Sequence, residues 1–295
     1  SHPEREGKMF NPDLYKTNLQ DVVSANPSFY FLMGDDFSIE KLISSNNRSQ
    51  QSYDQVYLNQ KQYLDVLKMP IYLVNGNHEQ EAKYLLDGTN SSPPLLAKNA
   101  RLKYFSSPGV DTGYYSFTYG NALFVVIDYY WHTDTPVDNT AGAKSADKKQ
   151  NVMWNNTLGD TQYQWFKNIL ETSNAKYKFV FTHHVLGTGR GGIENAKLYE
   201  WGGYNQKGVW EFDKMRPGWE LPIHQLMVKN KVTIFFQGHD HLFARQELDG
   251  VIYQEVPNPA DDTYTAFNKD AYKSGDILPN SGFLDVIVNP DTVSY

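Results

Sequence analysis

The stretch VTIFFQGHDH, Val232–His241, joins an apolar run to a short cluster of polar residues. The run Val232–Gln237 is rich in β-branched and aromatic residues, which is typical of a buried strand. His239 and His241 follow it at spacing i, i+2, and in an extended segment such side chains point to the same side. Two imidazoles at the end of a strand are either metal ligands or ordinary polar residues of a turn.

Three other apolar runs have the same form. The runs FYFLMGD, IYLVNGN and KFVFTHH each have the length and residue types of a buried strand, and each leads into polar residues. One such cluster is usually a turn, since glycine, asparagine and aspartate favour turns. Four clusters of this kind in one chain favour a site instead. They are Gly34-Asp35-Asp36, Gly76-Asn77-His78-Glu79, His183-His184 and Gly238-His239-Asp240-His241.

The segments between the strands have apolar residues at helical spacing. Helices are predicted after Asn11–Pro12 and over Tyr53–Leu67, Asp160–Ser173 and Pro222–Asn230. Asp160 is the expected N-cap of the third helix. Ala122–Asp128 predicts a further buried strand, and GVIYQEV and GFLDVIV near the C-terminus predict antiparallel strands. Strands that alternate with helices indicate an α/β layered fold.

Composition limits the classes of function. The 295 residues correspond to one large domain or two small ones, and the net charge of −7 argues against binding to a nucleic-acid polymer or an anionic membrane. Cysteine is absent, so any metal ion must be bound by His, Asp, Glu or Asn. No run of residues has the length and apolar character of a membrane-spanning helix.

The four polar clusters are expected to meet. In open α/β sheets, ligands bind at the carboxyl ends of the strands. Five of the chain's eight histidines lie in these clusters, together with carboxylates and one asparagine. Such ligands suit Zn, Mn or Fe, and two ions about 3.5–4 Å apart bind and polarise a phosphoryl group. The sequence therefore predicts a metal site.

The series GD, GNHE, H and GHDH resembles the calcineurin-like metallophosphoesterase superfamily, which includes purple acid phosphatases and cyclic-nucleotide phosphodiesterases. The resemblance extends from about residue 29 to residue 245. It implies a four-layer αββα sandwich of two mixed β-sheets flanked by helices, in a single domain over residues 1–295. It also implies a binuclear metal centre.

The resemblance implies a role for each matching residue. Asp35 corresponds to the carboxylate that bridges two ions, and Asn77, His183 and His239 to ligands of the second ion. His241 corresponds to a ligand of the first ion. His78 corresponds to the histidine that hydrogen-bonds the phosphate and protonates the leaving group.

Two departures from the family pattern concern the first ion and the metal identity. The family begins with a D-x-H motif, and this sequence shows no such aspartate. Either His2 is the last residue of that motif or the whole motif lies upstream, so we expect the domain to be incomplete at its start. Purple acid phosphatases have GDxxY, and Ser38 stands at the tyrosine position, which argues against a tyrosinate-bound iron.

The loop that follows the histidine pair is expected to border the site. Arg190 lies between glycines and is a candidate for phosphate binding. Trp201 and Tyr204 are candidates for stacking on a substrate. The alternative is that these aromatic residues pack on the domain.

Three functions remain open from the sequence. The first is a binuclear metal-dependent phosphoesterase that hydrolyses small phosphomonoesters or phosphodiesters by attack of a metal-bound hydroxide. The second is a non-catalytic binding protein with an incomplete metal site, and the third is a dimetal hydrolase of another ester or amide. The resemblance favours an exported protein over a cytoplasmic one, because family relatives with long aromatic loops are often exported, and the sequence does not define the oligomeric state.

Overall fold

The computed structural model describes residues 3, 9–105, 112–134, 153–187, 189–266, 268–279 and 281–295. Eight α-helices lie in these ranges. They are α1 Pro12–Ala25, α2 Glu40–Ser44, α3 Gln50–Leu64, α4 Pro93–Tyr104, α5 Gly159–Thr172, α6 Tyr199–Gly202, α7 Phe212–Met215 and α8 Ile223–Lys229. The strands are β1 Tyr30–Leu32, β2 Ile71–Leu73, β3 Tyr115–Tyr119, β4 Ala122–Val126, β5 Tyr177–Phe181, β6 Ile234–Gln237, β7 Phe243–Leu248, β8 Val251–Glu255, β9 Asp276–Leu278, β10 Ile287–Val288 and β11 Val293–Ser294.

One large mixed sheet forms the centre of the fold. Its strand order is β3-β4-β5-β6-β8-β7-β9. The strands β4, β5, β6 and β8 run parallel, and antiparallel strands complete both edges. β1 and β2 form a separate parallel pair, and β10 and β11 form an antiparallel pair. Because β5 and β6 are parallel neighbours, their carboxyl ends lie side by side at the same end of the large sheet.

The alternation of side chains along β1 shows how the layers are stacked. Tyr30 and Leu32 pack into a core formed with α1, α3 and α4. Phe31 points the other way and stacks on Phe181 of the large sheet, with ring centroids 4.1 Å apart. This alternation with period two places β1 and β2 between helices and the large sheet.

The far face of the large sheet carries a second helical layer. Val125 of β4, Val180 of β5 and Phe235 of β6 pack there with residues of α5 and α8. The order is thus helix, small sheet, large sheet, helix, and the predicted α/β class is confirmed. In the part of the chain described here, the small sheet consists of the parallel strands β1 and β2.

A layer of aromatic rings lies between the two sheets. The large sheet contributes Phe124, Phe179 and Phe236, which pack with Phe29 of the segment before β1. The edge of β1 opposite β2 borders a cavity of about 550 Å³ in this layer. At one end the cavity is lined by Asp35, His183, His239 and His241.

The predicted helices lie within a few residues of their observed positions. Asn11 caps α1, since its side chain accepts hydrogen bonds from the backbone N–H groups of Asp13 and Leu14 at 3.0 and 3.1 Å. The predicted cap by Asp160 is wrong. The cap position of α5 is Leu158, and Asp160 instead accepts a hydrogen bond from the indole of Trp219 at 2.7 Å.

Candidate metal centre

The turns after β1 and β2 meet in a close contact that only glycine allows. Gly34 has φ 93°, and a Cβ atom there would lie 2.7 Å from Nδ1 of His183. A Cβ atom on Gly76 would lie 2.4 Å from Oδ1 of Asp35. The two glycines therefore let the backbone of both turns approach the polar residues that follow β1 and β5.

Three side chains from different strand ends form the centre of the site. Oδ2 of Asp35 lies 2.9 Å from Nε2 of His183 and 3.9 Å from Nδ1 of His239. The two histidine nitrogens are 3.2 Å apart. All three residues are buried, so none of these groups is well solvated. Two imidazole nitrogens and a carboxylate oxygen thus face one point.

The spacing of these three atoms fits a metal ion. Bonds of about 2.0–2.2 Å in a tetrahedral site place neighbouring ligand atoms roughly 3.3–3.6 Å apart, close to the mean of the observed distances. Nδ1 of His183 lies 2.7 Å from the backbone carbonyl oxygen of Met33. That contact suits an Nδ1–H donor and leaves the lone pair of Nε2 directed at the site.

Asp35 and His183 form a buried charge pair. Burial alone would raise the pKa of Asp35, but the imidazoles of His183 and His78 hold it well below its ordinary value. Burial lowers the pKa of His239, and the neighbouring His183 adds to this effect. Burial would lower the pKa of His183, but the carboxylate of Asp35 raises it, so a metal ion bound at Nε2 would take the place of a proton there.

His78 borders the same carboxylate. Its backbone N–H donates to Oδ1 of Asp35 at 2.9 Å, and its Nε2 lies 3.8 Å from Oδ2 of Asp35. Nδ1 of His78 contacts the carboxylate of Glu40. Glu40 was not predicted, because it belongs to the short helix α2 and nothing in its sequence context marks it.

The remaining predicted ligands are Asn77, which follows β2, and His241, which follows β6. Asn77 is buried in the turn after β2, and its backbone carbonyl accepts a hydrogen bond from the Gln80 side chain at 2.5 Å. His241 lines the cavity together with the cluster. The expected extended conformation of the GHDH stretch is wrong, since His239 and His241 have φ of 83° and 58°. His2 and the position of the D-x-H motif fall outside the residues described.

His184 packs against His239 of the cluster. Its ring centroid is 4.4 Å from that of His239, and its Nε2 is 2.9 Å from the hydroxyl of Tyr130. Burial lowers the pKa of His184 well below its ordinary value, so the ring is neutral. Ligand atoms of His183, His184 and His239 all lie within 4.8 Å of one another. Tyr130 had no sequence signal, because it is 54 residues away from His184 in the chain.

Arg190 forms an ion pair with Asp240 of the GHDH turn. Its Nη1 donates to Oδ1 of Asp240 at 2.8 Å, and its side chain is 37% exposed. Oδ2 of Asp240 accepts from the backbone N–H of Gly191 at 2.8 Å and from the hydroxyl of Tyr272 at 2.7 Å. These bonds hold the loop after β5 beside the two histidines that flank Asp240.

The aromatic candidates of this loop differ in their surroundings. Trp201 has no exposed surface, and its indole N–H donates to the hydroxyl of Tyr253 at 2.9 Å in the core. Its predicted stacking on a substrate is therefore wrong. Tyr204 is 39% exposed and packs edge-on against Trp210 of the same loop.

The chain belongs to the calcineurin-like phosphoesterase family, whose model matches residues 9–243. Members of this family are metal-dependent phosphoesterases, and the family resemblance seen in the four motifs is thus confirmed. A search of curated protein sequences finds no match.

Solved structures share the fold at low identity. A dimetal phosphatase from Danio rerio is 15% identical with a TM-score of 0.50, and the match covers 84% of this chain and 78% of that one. PhoD is 17% identical with a TM-score of 0.52, over 86% of this chain and 55% of that one. A purple acid phosphatase from yellow lupin is 18% identical with a TM-score of 0.49, over 86% of this chain and 41% of that one. This chain therefore spans only about two fifths of the lupin enzyme.

No helix in the described ranges has both the length and the apolar character needed to cross a membrane.

Proposed function

We propose that the protein hydrolyses small phosphomonoesters or phosphodiesters with two divalent or trivalent ions, of Mn, Zn or Fe. The observation that carries this proposal is the meeting of Asp35, His183 and His239 at distances that suit one ion. Such ions, when bound, polarise a phosphoryl group and lower the pKa of water. Asn77 would complete the ligands of this ion, and His241 would bind the other.

The chain's own residues would bind and orient the ester. Asp35 has two carboxylate oxygens, so it has an oxygen for each of two ions. His78 borders that carboxylate from the turn after β2 and would hold a proton for the leaving oxygen. Arg190 uses Nη1 for Asp240, which leaves donors of its half-exposed guanidinium for a phosphate oxygen.

The test is hydrolysis of p-nitrophenyl phosphate and bis-p-nitrophenyl phosphate with added Mn²⁺ or Zn²⁺. Asp35→Asn and His239→Ala should each abolish turnover, because each removes a ligand from the cluster. His224→Ala is the control, since it removes a buried imidazole that is bonded instead to Tyr253 and Asp249. Turnover that persists in both cluster variants would contradict the proposal, as would a wild-type protein that hydrolyses neither ester.

A further inference from the structure

Glu79 connects the turns that follow β1 and β2. Its side chain is buried, with 1% of the residue exposed. Oε1 accepts hydrogen bonds from the backbone N–H groups of Asp36 and Phe37 at 2.7 and 3.0 Å. Oε2 accepts from the N–H groups of Asp35 and Gly76 at 3.0 and 2.6 Å. One carboxylate therefore binds four backbone donors.

These bonds fix a turn that is otherwise unfavourable. Asp35 has φ 62°, in the left-handed region that non-glycine residues rarely occupy. The three N–H groups of Asp35, Asp36 and Phe37 converge on Glu79 only when the turn has this shape. The same turn directs the Asp35 carboxylate to His183. Glu79 thus acts on the cluster through the backbone.

We propose that Glu79 is a positioning residue that holds Asp35 in place to bind metal, an inference that rests on the proposed function. Glu79 itself bonds to backbone groups and leaves the ligand positions to Asp35, His183 and His239. Glu79 fixes the backbone turn that carries Asp35 before a metal ion binds. Loss of such supporting contacts typically weakens metal affinity by about 10- to 100-fold.

Glu79→Gln tests this role with little change in side-chain shape. A glutamine side chain has only one acceptor oxygen, so its NH₂ group would face two of the four backbone donors. The turn that carries Asp35 would then shift or loosen. Glu79→Asp keeps both acceptor oxygens on a shorter side chain, and its metal affinity should lie between those of Glu79→Gln and the wild type.

Glu81→Gln is the matched control. Glu81 is buried two residues further along the chain, and its carboxylate accepts hydrogen bonds from Nε and Nη2 of Arg101 at 2.7 and 2.9 Å. Its replacement breaks a buried ion pair and should lower the Tm. It removes none of the bonds to the Asp35 turn.

The experiment is calorimetric titration of the full chain with Mn²⁺ or Zn²⁺ at a temperature at which circular dichroism shows each protein folded. We expect Glu79→Gln to raise the Kd about 10- to 100-fold and Glu81→Gln to change it by less than about threefold. A Glu79→Gln Kd within about threefold of wild type would overturn the inference, as would equal weakening in both variants. If Glu79→Gln does not fold, an unchanged Kd in Glu79→Asp overturns it.

The two proposals fail in different ways. A folded wild-type protein that binds neither ion contradicts the proposed function. A Glu79→Gln variant that binds the ion as tightly as the wild type does contradicts only the role of Glu79.

Discussion

Oδ2 of Asp35 lies 2.9 Å from Nε2 of His183, and this contact joins the two sheets of the protein. Asp35 follows β1 in the small parallel sheet, whereas His183 follows β5 in the large mixed sheet. The aromatic layer between the sheets sets their separation, because Phe31 of β1 stacks on Phe181 of β5. The geometry of the candidate metal centre therefore depends on packing in the aromatic layer.

Substitution of His78 should separate catalysis from metal binding. The bond from His78 to Oδ1 of Asp35 comes from the backbone N–H, so His78→Gln preserves it. The variant loses the imidazole that would protonate the leaving group, and kcat should fall by about 10²- to 10⁴-fold. Steady-state kinetics and calorimetric metal titration measure the two effects.

Glu40→Gln serves as the comparison for His78→Gln, because it keeps the imidazole and changes only its carboxylate neighbour. It should reduce kcat less than His78→Gln does. A His78→Gln enzyme with wild-type kcat would contradict the assigned role, and one that has lost its metal would show that the residue acts on the ligands instead.

Replacement of Trp201 should affect stability rather than substrate binding. The side chain is fully buried, and Trp201→Ala should lower the free energy of unfolding by about 3–5 kcal/mol. Tyr204→Ala, in the same loop, should lower it by only about 0.5–1.5 kcal/mol, because Tyr204 is 39% exposed and loses mainly its edge-on contact with Trp210. Urea denaturation of the two variants gives both values, and similar losses in both would contradict the assignment of Trp201 to the core.

Asp128 predicts a pH-dependent stability. Burial raises its pKa to about 6 in the folded protein, against about 4 in an unfolded chain. Between these values the folded protein binds a proton that the unfolded chain has released, so its stability falls as pH rises. The loss is on the order of 3 kcal/mol, since each unit of pKa corresponds to about 1.4 kcal/mol.

Asp128→Asn removes this titration and isolates the effect from other groups. Urea unfolding of chelator-treated wild type and variant should show a stability difference that moves in favour of the variant as pH rises from about 4 to about 6. A difference that is independent of pH would mean that Asp128 keeps its ordinary pKa.

The proximity of Asp35, His183 and His239 could be predicted because each of them follows a strand that is recognisable from its own residues. Asp35, His183 and His239 lie within a few residues of β1, β5 and β6, and parallel strand ends converge by topology alone. The α/β class follows from the same alternation of strands and helices.

Other features depend on contacts that the sequence does not encode locally. Trp201 lies in a loop that is rich in Gly and Tyr, and only the packing of α6 on the large sheet buries it. Glu40 and Tyr272 reach His78 and Asp240 from distant parts of the chain. The positive φ of His239 had no local signal, because the residues of the GHDH stretch predicted an extended segment.

The most direct test is anomalous diffraction at the Mn or Zn absorption edge from crystals grown with that metal. We expect an anomalous peak at about 2.0–2.2 Å, for Zn, from Oδ2 of Asp35, Nε2 of His183 and Nδ1 of His239. Crystals saturated with metal that show the same fold and no peak among these three atoms would contradict it.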